Sequence, residues 1–284
     1  MIFLVVRNII KRHFKDVIVD SLLQVFLICL VLGSVVGFLA GLLGIGGGLI
    51  IVPALLYILP SVGISSTQIT HVAIATSLAS IILTSMSSAT AHHKRGNIPW
   101  ELFKPIFPGI VIGSLASAFV SEQIASDDLQ QAFAIFVVLM AVQMAFPFKV
   151  KTGGSMPNFA VLLVISTAIA LIAGLMGIGG GVLLVPFLSY CGLQMRQAVG
   201  FSSATGMLIA VSGTIGYIIA GFDVPNLPEG SVGFIYLPAL IGIIISSMLC
   251  APIGVKAASS WPTPVLKKIF ACLLVVVGLK LLLS

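Results

Sequence analysis

Long apolar stretches separated by short polar ones run along this chain from end to end. Ten can be marked off, at roughly 21–43, 49–59, 70–90, 105–121 and 129–147, then 159–176, 182–190, 197–220, 234–253 and 266–283. A membrane-spanning helix needs about 20 apolar residues, and most of the stretches approach or reach that length. They lack the alternation of polar and apolar positions that marks barrel strands. Within hydrocarbon every backbone polar group must find its partner inside the protein, so the pattern predicts helices. No Asp, Glu, Lys or Arg occurs between Asp20 and Lys94, so that run must fold back on itself more than once. The predicted fold class is an all-α polytopic membrane protein.

Two of the stretches are broken in the same way. Residues 40–56 read AGLLGIGGGLIIVPALL and residues 173–189 read AGLMGIGGGVLLVPFLS. Residues 40–53 match 173–186 at ten of fourteen positions. The likeness continues more weakly downstream, where 71–90 lies on 197–216, 107–119 on 237–249 and 129–144 on 266–281. The chain therefore reads as an amphipathic N-terminal segment (1–20), a transmembrane repeat (21–147), a Gly- and Lys-containing linker (148–158) and a second repeat (159–284). Each repeat has about five hydrophobic segments, with a broken or re-entrant helix at its Gly-rich motif. The segment after each motif is too short to span alone, so the first pair in each repeat is either two crossings or a hairpin. Both alternatives give an odd number of crossings per repeat. Tandem repeats of odd parity have opposite orientations, the inverted-topology plan of secondary transporters.

Glycine in a helix interior costs about 1 kcal/mol relative to alanine, so a repeated cluster requires a reason. A helix that starts just after such a cluster exposes unpaired N–H groups and the positive end of its dipole. Glycines also let backbone approach a ligand closely and form a concave nest of donors. Two inverted copies would aim two helix starts at one midplane site for an anion. On this reading the substrate-binding residues are Gly44, Gly46, Gly47 and Gly48 with Gly177, Gly179, Gly180 and Gly181. Thr76, Ser77, Ser202 and Ser203 add hydroxyls by their repeat positions. The competing role for the clusters is structural, as hairpin tips. Gly33, Gly37 and Gly41 form overlapping GxxxG spacings and read as helix-packing positions instead.

The doubled AGLxGIGGGxxxVP, each copy followed by a small-residue block (IATSLAS, GFSSATG), resembles the TauE/SafE sulfite-exporter family. The resemblance covers both halves. It implies permeation of small anions, mainly sulfite, organosulfonates or related sulfur compounds, across a bacterial inner membrane by a multi-pass protein.

Composition narrows the alternatives. The chain has 284 residues, 59% hydrophobic and 8% charged, with a mean hydropathy of +1.22. Soluble domains carry about 25% charged residues. The net charge of +6 is scattered, which suits anionic lipid and not nucleic acid. Loops 91–104, 147–158, 191–197 and 254–268 fall on one side and hold nine Lys and Arg, which positive-inside logic assigns to the cytoplasm. The four basic residues of the N-terminal segment fall on the other side and oppose that assignment. Trp100, Trp261 and Tyr236 fall near expected interfaces, where aromatic belts form. Pro53 and Pro186 are expected to bend or end the short helices.

Two titratable residues are vestibule or proton-linked candidates. His71 begins the third stretch and could bind an anion or carry a proton, or simply be a polar residue at a helix start. Arg196 is the only charge between Lys151 and Asp223 and could draw anions to a vestibule or anchor an interface. The four cysteines lie singly in apolar stretches without metal spacing, so packing is their expected role. No metal site and no cofactor are expected. The expected partners are a small anionic substrate, the lipid bilayer and a second copy of the chain through GxxxG surfaces.

Other classes compete with this reading. A transporter of another solute or a metal ion is one, although metal transport calls for clustered ligands. An intramembrane enzyme would need more than GFSS at 200–203 with His71 upstream, and no HExxH is present. A non-transporting scaffold leaves the duplication of the broken helix unexplained. The sequence expectation is a transporter and not an enzyme.

Overall fold

The computed structural model describes residues 22–40, 47–61, 67–145, 156–258 and 263–283. The N-terminal segment, Gly41, Gly44, Gly46 and Trp261 lie outside the described residues. Each expected apolar stretch contains a helix. In the first half these are α1 (Leu22–Ala40), α2 (Gly48–Ser61), α3 (Ile69–Lys94), α4 (Phe103–Glu122) and α5 (Ser126–Ala145). In the second half they are α6 (Phe159–Leu175), α7 (Gly181–Tyr190), α8 (Met195–Ala220), α9 (Leu237–Ala258) and α10 (Thr263–Leu283). A single 3₁₀ turn, Trp100–Leu102, leads into α4. Six of the described helices are long and apolar enough to cross a membrane. The chain is thus a multi-pass membrane protein.

Helix starts follow local chemistry where a cap is available. Asn158 caps α6, its side-chain oxygen accepting from the Val161 N–H at 3.0 Å. α2 and α7 start instead on glycines in the left-handed region, Gly47 (φ 82°) and Gly180 (φ 70°). Any other residue is strained there. Pro53 and Pro186 sit inside these two helices without ending them.

α3 and α8 form the centre. They bury 72% and 61% of their most apolar stretch, against 28% for both α1 and α5. Their small residues permit close approach. They run antiparallel: a Cβ on Gly213 would meet Leu78, Gly206 lies by Ser85, and Ser203 Oγ is 2.9 Å from Ser88 Oγ. Around this pair the remaining packing recurs in matched form. α4 packs on α6 and on α8, α2 packs on α3, and α5 packs on α10. Correspondingly, α9 packs on α1 and on α3, and α7 packs on α8.

The expected GxxxG packing is present where it can be seen. A Cβ on Gly33 would lie 2.5 Å from Ile243 O, and one on Gly37 would lie 2.5 Å from Ser247 Cα. Both contacts join α1 to α9 across the halves.

One element differs from expectation. Between α8 and α9, strand β1 (Ser231–Val232) pairs antiparallel with β2 (Ile235–Tyr236). The helix α9 starts only at Leu237. Tyr236 is fully buried, because its strand is drawn inward against α3, where its N–H donates to Thr76 Oγ1 at 3.0 Å. Trp100, in contrast, is 47% exposed.

Candidate functional site

The two glycine motifs meet. A Cβ on Gly48 would lie 2.6 Å from Gly177 O and 3.1 Å from Ile178 Cα, so only a residue without a side chain permits the approach. On its other side Gly179 faces Ile81 of α3 and Gly206 of α8. Ile81 and Gly206 lie near the midpoints of two 26-residue helices. At about 1.5 Å per residue such helices exceed the roughly 30 Å hydrocarbon core, so the motifs meet deep within the bundle.

The helix starts are built alike. Gly47 O accepts from Ile50 N–H (3.0 Å) and Ile51 N–H (3.1 Å); Gly180 O accepts from Leu183 N–H (3.1 Å) and Leu184 N–H (2.8 Å). No side chain caps α7. Among the described residues, no carbonyl accepts from the N–H groups of Gly48 and Leu49 or of Gly181 and Val182. These are the unpaired donors that a helix start leaves, and they carry the positive end of the helix dipole.

The four hydroxyls separate into different roles. Ser202 faces the α7 start, its Oγ 3.3 Å from where a Cβ on Gly181 would be. It is 97% buried by its 3% exposure, and its Oγ has no hydrogen-bond partner. A buried hydroxyl without a partner is costly, and this one lies beside Gly181, the first residue of the uncapped helix. Ser77 Oγ instead donates to Gly177 O at 2.8 Å, tying α3 to the second motif. Thr76 accepts from the Tyr236 N–H. Ser203 Oγ donates to Val199 O at 2.9 Å and contacts Ser88. Ser202 is therefore the hydroxyl the structure brings to an open donor set. Ser85 was not legible as a neighbour of the motif, yet its Oγ lies near both Gly179 and Gly206. Only the antiparallel register of α3 and α8 places it there.

His71 and Arg196 are not brought together. Arg196 is exposed in the first turn of α8. His71 is fully buried near the opposite end of the α3–α8 pair, with Nε2 2.8 Å from Ser121 O and its ring stacked on Phe234 at 5.3 Å. Among the described residues no group of three or more His, Cys, Asp or Glu could hold a metal ion, and the four cysteines are free.

Residues 29–281 match the family described as "Sulfite exporter TauE/SafE". The chain belongs to that family. A probable membrane transporter protein of Haemophilus influenzae is 39% identical over 261 residues, covering 91% of this chain and 98% of the relative. One of Methanocaldococcus jannaschii is 28% identical over 280 residues, covering 97% of this chain and all of the relative. A third, YunE of Bacillus subtilis, is 30% identical over 216 residues, covering 69% of this chain and 79% of the relative. No solved structure matches. With its six candidate spans, this TauE/SafE protein is a membrane transporter.

Proposed function

We propose that the protein is a secondary transporter that moves a small anion, sulfite or an organosulfonate, across the bacterial inner membrane. The carrying observation is the uncapped start of α7, where Ser202 Oγ faces Gly181 without a partner of its own. Two backbone N–H groups and a hydroxyl can bind an oxyanion there without a buried lysine or arginine. The matching start of α2 supplies a second set of donors across the contact between Gly48 and Gly177. The family's description supports a sulfur oxyanion as the substrate class. The antiparallel run of α3 and α8, counterparts in the two repeats, supports an inverted arrangement and alternating access around this site.

Gly181→Ala tests the reading at one atom. The added methyl meets only Ser202 Oγ, at 3.3 Å, and so covers the hydroxyl proposed to bind the anion. Alanine in place of glycine in a helix favours the helix by up to about 1 kcal/mol. The variant is therefore expected to fold at least as well as the parent, while flux in proteoliposomes falls about tenfold or more, as for loss of one charge-assisted hydrogen bond. The substrates to compare are sulfite, sulfoacetate, sulfate and chloride. Unchanged flux in Gly181→Ala would remove the α7 start from the site. Folded parent protein that moves none of the four would remove the proposed substrate class.

A further inference from the structure

A second buried polar group lies away from the glycine motifs, at the end of α3. His71 is the third residue of that helix, and its ring is fully buried. Ser121 O can only accept, so Nε2 carries the hydrogen of the 2.8 Å bond between them. In the neutral ring Nδ1 is then a bare acceptor, and it is buried with no partner. Backbone acceptors act on the ring from Ser121, in the last turn of α4, and from Ile124 just beyond that helix, and the Glu122 carboxylate lies on the same turn. That end carries the negative pole of the helix dipole. The arrangement suits a ring that takes up a proton better than a ring that binds an anion.

His71 has no exposed surface of its own, but its neighbours lead to two features. Outward is a cleft of about 420 Å³ lined by Gln68, Glu122, Ile124 and Asp127. Gln68 lies one helical turn before His71, and Glu122 follows the carbonyl that His71 holds. Inward, Phe234 stacks on the ring and packs edge-on against Tyr217 at 6.2 Å. The Tyr217 hydroxyl donates to Gly174 O at 3.4 Å, at the head of the second glycine motif. It also faces Ser121 Oγ, which has no bond of its own. The titratable groups brought to this end by the packed elements are Glu122 of α4, Asp127 and Asp128 of α5, Tyr217 of α8, Asp223 and Glu229 of the connection from α8 to β1, and Tyr236 of β2. α6 brings none, and Tyr57 of α2 faces Lys280 instead.

We propose that His71 is the proton-binding site of the transport cycle, its ring and the stacked Phe234 forming a plug between the acid-lined cleft and the glycine motifs. Nδ1 takes a proton from water in the cleft to give an imidazolium, which returns it to water when the plug opens. The closed plug gives the new N–H no place in water, so protonation and opening are linked. A monoanion and one proton then cross together without net charge. This rests on the anion-transport reading above, and the test separates the two.

Gln in place of His71 keeps an amide donor for Ser121 O but cannot titrate. A gradient of one pH unit can drive about tenfold accumulation per coupled proton. In proteoliposomes, parent protein is expected to approach that ratio for methanesulfonate, an organosulfonate monoanion that does not titrate, and His71→Gln to stay near onefold, compared at equal amounts of folded protein. In parallel, the four ring-labelled histidines (His13, His71, His92, His93) are followed by NMR in the full chain in nanodiscs. One resonance, missing in His71→Gln, is expected to shift with pH as the ring takes up its proton. A pH-independent His71 resonance overturns the proposal, as does gradient-driven accumulation by His71→Gln that equals the parent's. If the parent moves no methanesulfonate, sulfite, sulfoacetate, sulfate or chloride, the anion reading fails while the NMR arm alone decides whether His71 binds a proton.

Discussion

At the scale of single residues, four hydroxyls at equivalent repeat positions have been given unlike tasks. Ser202 has an unpartnered Oγ before an uncapped helix, whereas Ser77 holds Gly177 O. Removing each should therefore fail differently. On the proposed anion site, Ser202→Ala would delete one donor to a charged ligand, a bond of about 1.5–3 kcal/mol, so apparent affinity should fall at least tenfold while thermal stability holds. The measurement is flux against substrate concentration, with an unfolding curve for the same preparation. An unchanged half-saturation concentration would take Ser202 out of the site. The glycine break and the Ser202 position were legible because the motif and its repeat are short patterns. The tasks of Ser77 and Thr76 were not, because their partners lie 100 and 160 residues away. His71 is the same case: its burial is made by Ser121 and Phe234, which no local pattern links to it.

At the scale of elements, the period of apolar stretches identified the helices because hydrocarbon leaves the backbone few other choices. It also kept α2 and α7 short, at 14 and 10 residues. The hairpin of β1 and β2 escaped that reasoning. Two residues per strand are too few to show alternation, and Ile235 and Tyr236 read as the start of an apolar helix. Packing between elements can be tested at α1 and α9. A side chain on Gly37 would run into Ser247 backbone, which cannot rotate aside as a side chain can. Gly37→Leu is expected to destabilise by about 1–3 kcal/mol or more and to lower the unfolding temperature in detergent. Val35→Leu, on a half-exposed position of the same helix, should stay within about 0.5 kcal/mol of the parent. Equal stability of the two variants would mean that α1 does not pack on α9 as described.

At the scale of the whole molecule, the matched contacts of the two halves bear on how transport could work. α4 pairs with α6 while its counterpart α9 pairs with α1, so each half holds its partner by the same exchange of helices. Such an exchange leaves neither half free to move as a closed unit, and motion must instead shift these shared contacts together. If the repeats are inverted, equivalent helix ends must face opposite sides of the membrane. Glu122 ends α4, and Lys256 lies in the last turn of its counterpart α9; both are exposed. With the four native cysteines replaced, Glu122→Cys and Lys256→Cys should react with a membrane-impermeant maleimide from opposite sides in intact cells and inverted vesicles. Positive-inside logic, applied to the basic loops, expects Lys256 on the cytoplasmic side. Labelling of both positions from one side would rule out the inverted plan and, with it, alternating access by exchange of two opposed repeats. Opposite labelling would instead put the cleft beside His71 and the basic end of α8 on opposite faces of the bilayer, the polarity that a proton taken up at one face and released at the other requires.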